Sequence, residues 1–242
     1  LLVGPARPDP LYGPRSIVST DDGKRLWVAD VGGRCLHLLD LDRRVYRKVT
    51  RVGEASLLSP VDVCRGPGSC LFVCDSEAVA VHRISAESGD GLGTLRIPED
   101  LQRPAAVYWD DAARELFVAD TGAHDIKVLD ENGALLRILG KRGAGPGEFN
   151  FPCDLIGDGE ALWVVDAGNH RVQRISPAGE VVGGFGQAGD ALGDLALPKG
   201  VALDGDGHVY VVDARFENVQ IFDRSGQLLL AFGEEGSEPG QF

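Results

Sequence analysis

Five aspartates are the first residues whose type and spacing could carry chemistry: Asp30, Asp75, Asp120, Asp166 and Asp213. Each closes an apolar run and precedes a short polar turn, and they lie 45, 45, 46 and 47 residues apart. A carboxylate can act as acid, base, nucleophile or metal ligand. A reaction needs such a residue once, however, whereas these recur at the same place in every repeat. That distribution predicts a structural task per repeat, with each Asp accepting backbone N–H bonds from the turn after it.

The other reactive side chains form no known constellation. His124 and His170 stand four residues after their Asp, and His37 and His82 stand seven after, so each pair occupies equivalent places in different repeats. His208 sits alone in a turn, and no HxxH or HExxH spacing occurs. The chain also lacks a GxSxG elbow, a phosphate loop and a catalytic Cys/His context. No catalytic residue and no metal site is assigned from these patterns. Five cysteines (Cys35, Cys64, Cys70, Cys74 and Cys153) make an odd count without paired CxxC motifs. Cys64 and Cys70 flank a turn between two strands that should be neighbours. A cross-strand disulfide is one reading there, and two buried thiols are the other.

The elements that must position these residues follow from alternation and punctuation. In each period a first strand begins at a Pro (Pro14, Pro60, Pro104, Pro152, Pro198), where no ladder donor is needed. A second strand ends at the repeated Asp, and a third follows the polar turn. A fourth ends in Gly, as at Gly140, Gly186 and Gly233. Three residues before each Asp stands an aromatic (Trp27, Phe72, Phe117, Trp163, Tyr210), and two before it a Val (Val28, Val73, Val118, Val164, Val211). Neighbours along a strand point to opposite faces, so both faces of the sheet are apolar and both should be buried.

Four antiparallel strands in each 45 residues, without helical periodicity, predict an all-β fold, a β-propeller of four-stranded antiparallel blades. The blades fall at about 14–53, 60–97, 104–140, 152–186 and 198–233 of a single domain, 1–242. Leu1-Leu2-Val3-Gly4 matches a fourth-strand ending, giving six fourth strands against five sets of the first three. The expectation is therefore a six-bladed ring whose closing blade is incomplete in this sequence. In such a ring the residues just after each Pro gather at the mouth of the central channel. There Arg15, Asp62, Cys153, Asp154 and Lys199 differ from blade to blade, as a binding site written on a repeat scaffold would.

Composition bounds the partners. The chain of 242 residues carries 24 Lys+Arg against 37 Asp+Glu, a net charge of -13 that repels a phosphate backbone and argues against nucleic acid. No apolar run reaches the length of a membrane span, and no targeting segment is visible. A monomer is expected.

The run Asp166-Ala167-Gly168-Asn169-His170-Arg171-Val172-Gln173 and the linker Gly145-Pro146-Gly147-Glu148-Phe149 resemble the NHL repeat, in its bacterial form. The resemblance covers nearly the whole chain and departs most in blade 2, where Asp75-Ser76-Glu77-Ala78-Val79 replaces the Asn-His-Arg turn. It implies a six-bladed propeller acting as a rigid, non-enzymatic scaffold for a protein or peptide, without cofactor, in an extracytoplasmic location. The alternative it implies is a metal-dependent propeller enzyme with its site at the channel mouth. In the amidating-lyase-like form histidines near the axis hold zinc, and here no first strand carries a His. In the lactonase-like form carboxylates hold calcium, and Asp62 and Asp154 would give two of the roughly six or more oxygens required.

Overall fold

The structure, a computed structural model, describes residues 9–20, 23–97 and 101–236. Five four-stranded antiparallel sheets follow one another along the chain, each paired in the order its strands are written. Blade 1 comprises Pro14–Ser19, Arg25–Asp30, Cys35–Asp40 and Val45–Val49; blade 2 comprises Pro60–Arg65, Cys70–Asp75, Ala80–Ser85 and Gly91–Thr94. Blade 3 comprises Pro104–Asp110, Glu115–Asp120, Asp125–Asp130 and Leu135–Leu139. Blade 4 is Pro152–Gly157, Leu162–Asp166, Arg171–Ile175 and Val181–Phe185, and blade 5 is Pro198–Leu203, Val209–Asp213, Asn218–Phe222 and Leu228–Phe232. This is the all-β propeller of four-stranded blades that the repeat predicts, with five blades among the described residues. Leu1–Gly4, the expected outer strand of a sixth blade, lie outside them. A two-stranded hairpin, Arg51–Val52 with Ala55–Ser56, follows blade 1 and was not anticipated from the repeat.

The chain divides into two compact units, one with the described residues up to Val118 plus Leu129–Leu136, the other with Ala119–Val128 and the described residues from Arg137. In the first unit, Trp27 of blade 1 is fully buried with Val63, Leu71 and Val73 of blade 2, and Phe72 of blade 2 packs with Val107, Leu116 and Val118 of blade 3. In the second, Trp163 of blade 4 packs with Val201, Val209 and Val211 of blade 5. Within each unit the repeated aromatic therefore faces the following blade and the repeated Val the preceding one. The facing sheets of these pairs are buried for this reason, at about 1.5–3 kcal/mol for each fully buried large side chain. Trp109 also belongs to the core, 7% exposed.

Of the two readings for Cys64 and Cys70, the structure has the thiols: Cys64 stands opposite Phe72 in the first-to-second-strand ladder, Cys70 stands opposite Ser85 on the other side of its strand, and none of the five cysteines is in a disulfide. The ladder runs on to Arg65 opposite Leu71, and Gly66 N donates to Cys70 O at 2.9 Å, so Cys70 faces Gly66 and not Cys64.

Candidate functional site

The repeated Asp residues are fully buried in all five blades. Their partners extend beyond the turn after them. Asp75 accepts N–H bonds from Leu58 and Ser59, both at 2.8 Å, and from Ala78 at 3.1 Å. Asp30 does the same with Tyr12, Gly13 and Gly33, each at 2.9 Å, and Asp213 with Ala196, Leu197, Arg215 and Phe216. Each of these Asp side chains thus ties the loop leading into its blade, some 16 to 18 residues earlier, to its own turn. The sequence reading located only the second half of that tie.

The Asn-His-Arg-Val-Gln run of blade 4 is explained by the same loop. Asn169 Nδ2 donates to Asp166 and to Gly143 O, both at 2.8 Å; Arg171 donates to Asp166, Gly145 O and Glu148 O; Gln173 donates to Glu148 O and accepts from Gly147 N. The linker Gly145–Phe149 and the run after Asp166 are therefore two halves of one hydrogen-bonded clasp. Blade 5 repeats part of it through Gln220, which accepts from Gly193 N and donates to Asp194 O.

The histidines four residues after their Asp reach the next lead-in loop. His124 Nδ1 accepts from Phe151 N at 3.1 Å, and His170 Nδ1 lies 2.9 Å from Ala196 O. Both have positive φ, and so do the residues at that position in the other blades: Arg34, Val79, His124, His170 and Glu217 lie between 50° and 60°. A left-handed residue is thus built into every second turn.

The proposed channel-mouth residues divide between the units. In the first, Asp62 Oδ1 accepts from its neighbour Val63 N at 2.8 Å and Oδ2 from Val107 N of the next blade at 2.7 Å. Burial pushes the Asp62 carboxyl up, against bonds from Ser16, Val107 and Val63 that favour its ionised form. Arg15 is exposed, and its charge also acts on Asp62. In the second, Asp154 accepts from Leu155 N at 2.9 Å and from Val201 N of the next blade at 2.7 Å. Cys153 is half-buried with Sγ 3.6 Å from the carbonyls of Pro198 and Lys199, and Lys199 is half-buried. Ser16 holds the matching place in blade 1 and accepts from Val63 N at 3.3 Å. Ser16, Asp62 and Asp154 therefore each pin their first strand to the next one, and a cation at Asp62 or Asp154 would compete with two amides at each.

A cluster that the sequence reading missed lies in blade 1. His37 Nε2 is 3.0 Å from Asp30 Oδ2 and 3.3 Å from Cys35 Sγ, His37 Nδ1 is 2.8 Å from Tyr46 Oη, and Asp30, Cys35 and His37 are all buried. Burial raises the thiol of Cys35. For Asp30, burial is outweighed by the bonds from Tyr12, Gly33, His37 and Gly13, so its carboxyl is held below its usual range. Cys35 is the cross-strand partner of Asp30 and His37 is two residues further on, so alternation puts all three on one face. The sequence signal for it is the Asp-x4-Cys-x-His spacing within one hairpin. Blade 2 carries His82 in the equivalent place, 4.0 Å from Asp75 Oδ2, with its Nδ1 on Thr94 and its buried Nε2 without a partner.

An open cleft of about 530 Å³ in the first unit is lined by Arg25, Arg65, Cys70, Glu87, Trp109 and Asp111, among others. Its charges balance, and Arg25 is already paired with Asp40 at 3.2 Å. Among the described residues no helix is long and apolar enough to cross a membrane.

Comparison with known proteins agrees with the repeat. NHL repeat-containing protein 2 of Bos taurus is 34% identical over 140 residues, 45% of this chain and 19% of that protein. The chain thus spans about a fifth of the length of such curated relatives. Among solved structures, a catalytically inactive virginiamycin B lyase from Staphylococcus aureus with quinupristin superposes with a TM-score of 0.69 at 16% identity, covering 93% of this chain and 71% of the lyase. A chain of a nidogen/laminin complex gives 0.69 at 18% identity, covering 90% of this chain and 79% of that one. These two show the fold alone. The family profile described as the Teneurin NHL domain matches residues 48–238, and by that match this chain belongs to the NHL-repeat β-propellers of the teneurin type.

Proposed function

We propose that the chain is a non-enzymatic scaffold that presents a protein- or peptide-binding surface. The observation that carries this reading is the use of its repeated carboxylates. All five repeated Asp, together with Asp62 and Asp154, hold backbone or side-chain donors of the chain itself, while the residues beside them vary from blade to blade. A scaffold of this kind spends its common residues on the fold and its variable ones on recognition. The nidogen/laminin complex supports it as an example of such a fold in a protein assembly. The lyase neighbour and the metal-dependent alternative, with calcium or zinc at the channel mouth, are the competing reading.

The six-bladed ring belongs to this proposal, and two positions support it. Ile17 is 62% exposed, whereas its equivalents Val63, Val107, Leu155 and Val201 are 3–9% exposed. Val212 is 45% exposed, whereas Ala29, Cys74, Ala119 and Val165 are fully buried. Covering these two faces with a closing blade would gain about 1.5–3 kcal/mol for each large side chain buried. An extracytoplasmic location is a further part of the proposal, tested by fractionating the source cells; recovery of the protein in the cytosolic fraction would overturn it.

The binding reading is tested by selecting peptides from a random display library on the immobilised protein and measuring the winners by calorimetry. Saturable binding near one peptide per chain, weakened at least tenfold by Arg15→Glu or by Lys199→Glu tested singly, is expected. Failure to enrich any sequence, or binding indifferent to both changes, would overturn it.

A further inference from the structure

We propose that blade 1 holds a binding site for one transition-metal ion of the zinc type, with Asp30, Cys35 and His37 as its ligands. This stands apart from the scaffold reading. The three side chains are buried, and their ligand atoms all lie within 4.8 Å of one another. A tetrahedral centre with bonds of about 2.0 Å to nitrogen and oxygen and about 2.3 Å to sulfur separates neighbouring ligand atoms by roughly 3.3–3.6 Å. The observed separations of 3.0 Å (Nε2 to Oδ2) and 3.3 Å (Nε2 to Sγ) need to widen by only a few tenths of an ångström.

The hydrogen-bond arithmetic points the same way. One imidazole nitrogen faces two groups, and it holds either one proton or one lone pair. It makes one good bond and leaves the other contact poorly matched, whereas a cation among the three would meet both; the Gly13 and Gly33 amides occupy Asp30 Oδ1 and the Tyr12 amide takes one lone pair of Oδ2, so the metal would take the second, in the place of the His37 contact. His37 Nδ1 is bonded to Tyr46 Oη at 2.8 Å, which fixes the ring in the orientation that a metal-bound histidine usually receives from an outer partner.

The turn beside the cluster is closed by Gly33. A side chain there would place its Cβ 2.8 Å from Asp30 Oδ2 and 3.0 Å from Cys35 Sγ, and Gly33 itself is only half-buried. A Cβ there would crowd two of the three ligands, so glycine keeps the backbone of the turn close against the cluster without covering it with a side chain.

The other blades act as internal comparisons. Blade 2 has the Asp and the His, at 4.0 Å, but Ala80 replaces the thiol. Blade 3 fills the two places with Asp125 and Lys127, blade 4 with Arg171 and Gln173, and blade 5 with Asn218 and Gln220. In blade 3 the ammonium bonds both carboxylates, and in blade 4 the guanidinium and amide both bond Asp166. Blade 1 alone puts a soft ligand and an imidazole against its carboxylate. Binding would release the thiol proton to solvent, so affinity should rise with pH.

The test uses the whole chain, stripped with a chelator and dialysed, then titrated with Co2+ as a spectroscopic probe. The expected result is a thiolate-to-cobalt charge-transfer band that saturates at one ion per chain and is bleached by Zn2+. Cys35→Ser should abolish the band, Tyr46→Phe should weaken binding by about 10–100-fold, and Cys70→Ser should leave it intact. His37→Gln carries the residue that blades 4 and 5 have at this place, and should bind at least tenfold more weakly even if Cys35→Ser fails to fold. Absence of the band in the unaltered protein, its survival in Cys35→Ser, or undiminished binding in His37→Gln would overturn the proposal.

Discussion

Replacing Asp75 by Ala removes one buried side chain and leaves three amides without their acceptor. The donors, Leu58 N, Ser59 N and Ala78 N, bond the carboxylate at 2.8, 2.8 and 3.1 Å, and Asp75 itself is fully buried. An orphaned buried donor costs about 1–3 kcal/mol. Leu58, Ser59 and Ala78 are all half-buried, so water can reach their amides in part, and the low end of that range applies. Three donors at about 1 kcal/mol each give roughly 3 kcal/mol, a large share of the 5–15 kcal/mol that stabilises an ordinary domain. For a chain of this size that is a fall in Tm of about 6–12 °C. The assay is urea unfolding followed by tryptophan fluorescence and far-UV circular dichroism, with coincident transitions required. A loss below about 1 kcal/mol would refute the reasoning. So would a variant that keeps its Tm and loses a binding activity, because the Asp would then be serving a ligand and not the loop. Asp166→Ala should cost less per bond lost, since Arg171 and Gln173 keep their bonds to the linker carbonyls.

Two further outcomes follow from local geometry. Val79 holds the left-handed turn position with a β-branched side chain at φ 51° and is 41% exposed, so Val79→Gly should relieve strain and raise stability by about 1 kcal/mol in the same urea assay. Asp204 is held at about 2, below its ordinary 3.8, chiefly by the His208 side chain and further by the His208 amide, Tyr210 and Asp206. Its folded value is depressed, so its contribution is fully present above about pH 4 and is lost as pH falls toward 2. Asp204→Asn should flatten the acid limb of a Tm-against-pH curve in that window, and carboxyl carbon NMR titration reads the value directly.

The blades were legible because their signals are local and repeated. A Pro, an alternating run, an Asp and a Gly each fix one strand end, and Gly140 and Gly186 indeed sit at φ 78° and 96°, where other residues are strained. The aromatic and Val positions announced two buried faces through alternation alone. The other half of each Asp tie was not legible, since its donors lie 16 to 18 residues upstream in loops whose sequences differ. The two readings of Cys64 and Cys70 could not be separated in the sequence because flanking a turn does not set the ladder register, which places Phe72 opposite Cys64. Asp62 and Asp154 were placed at the channel mouth by their position after the Pro; the amide that each accepts from the next strand was not legible, since it depends on the register shift at that position. The grouping of Asp30, Cys35 and His37 is legible only within its own hairpin, because the other blades carry different residues at the two later places.

The bridges from Ser16 to Val63, Asp62 to Val107 and Asp154 to Val201 give the chain a wiring rule with only nearest-neighbour links. Each such blade brings its own acceptor for the amide of its successor and asks nothing of blades further along. A gene built on that rule can gain or lose a 45-residue copy and still supply every joint, because the joint travels with the copy. Blade 3 carries Ala106 at this place and brings no acceptor.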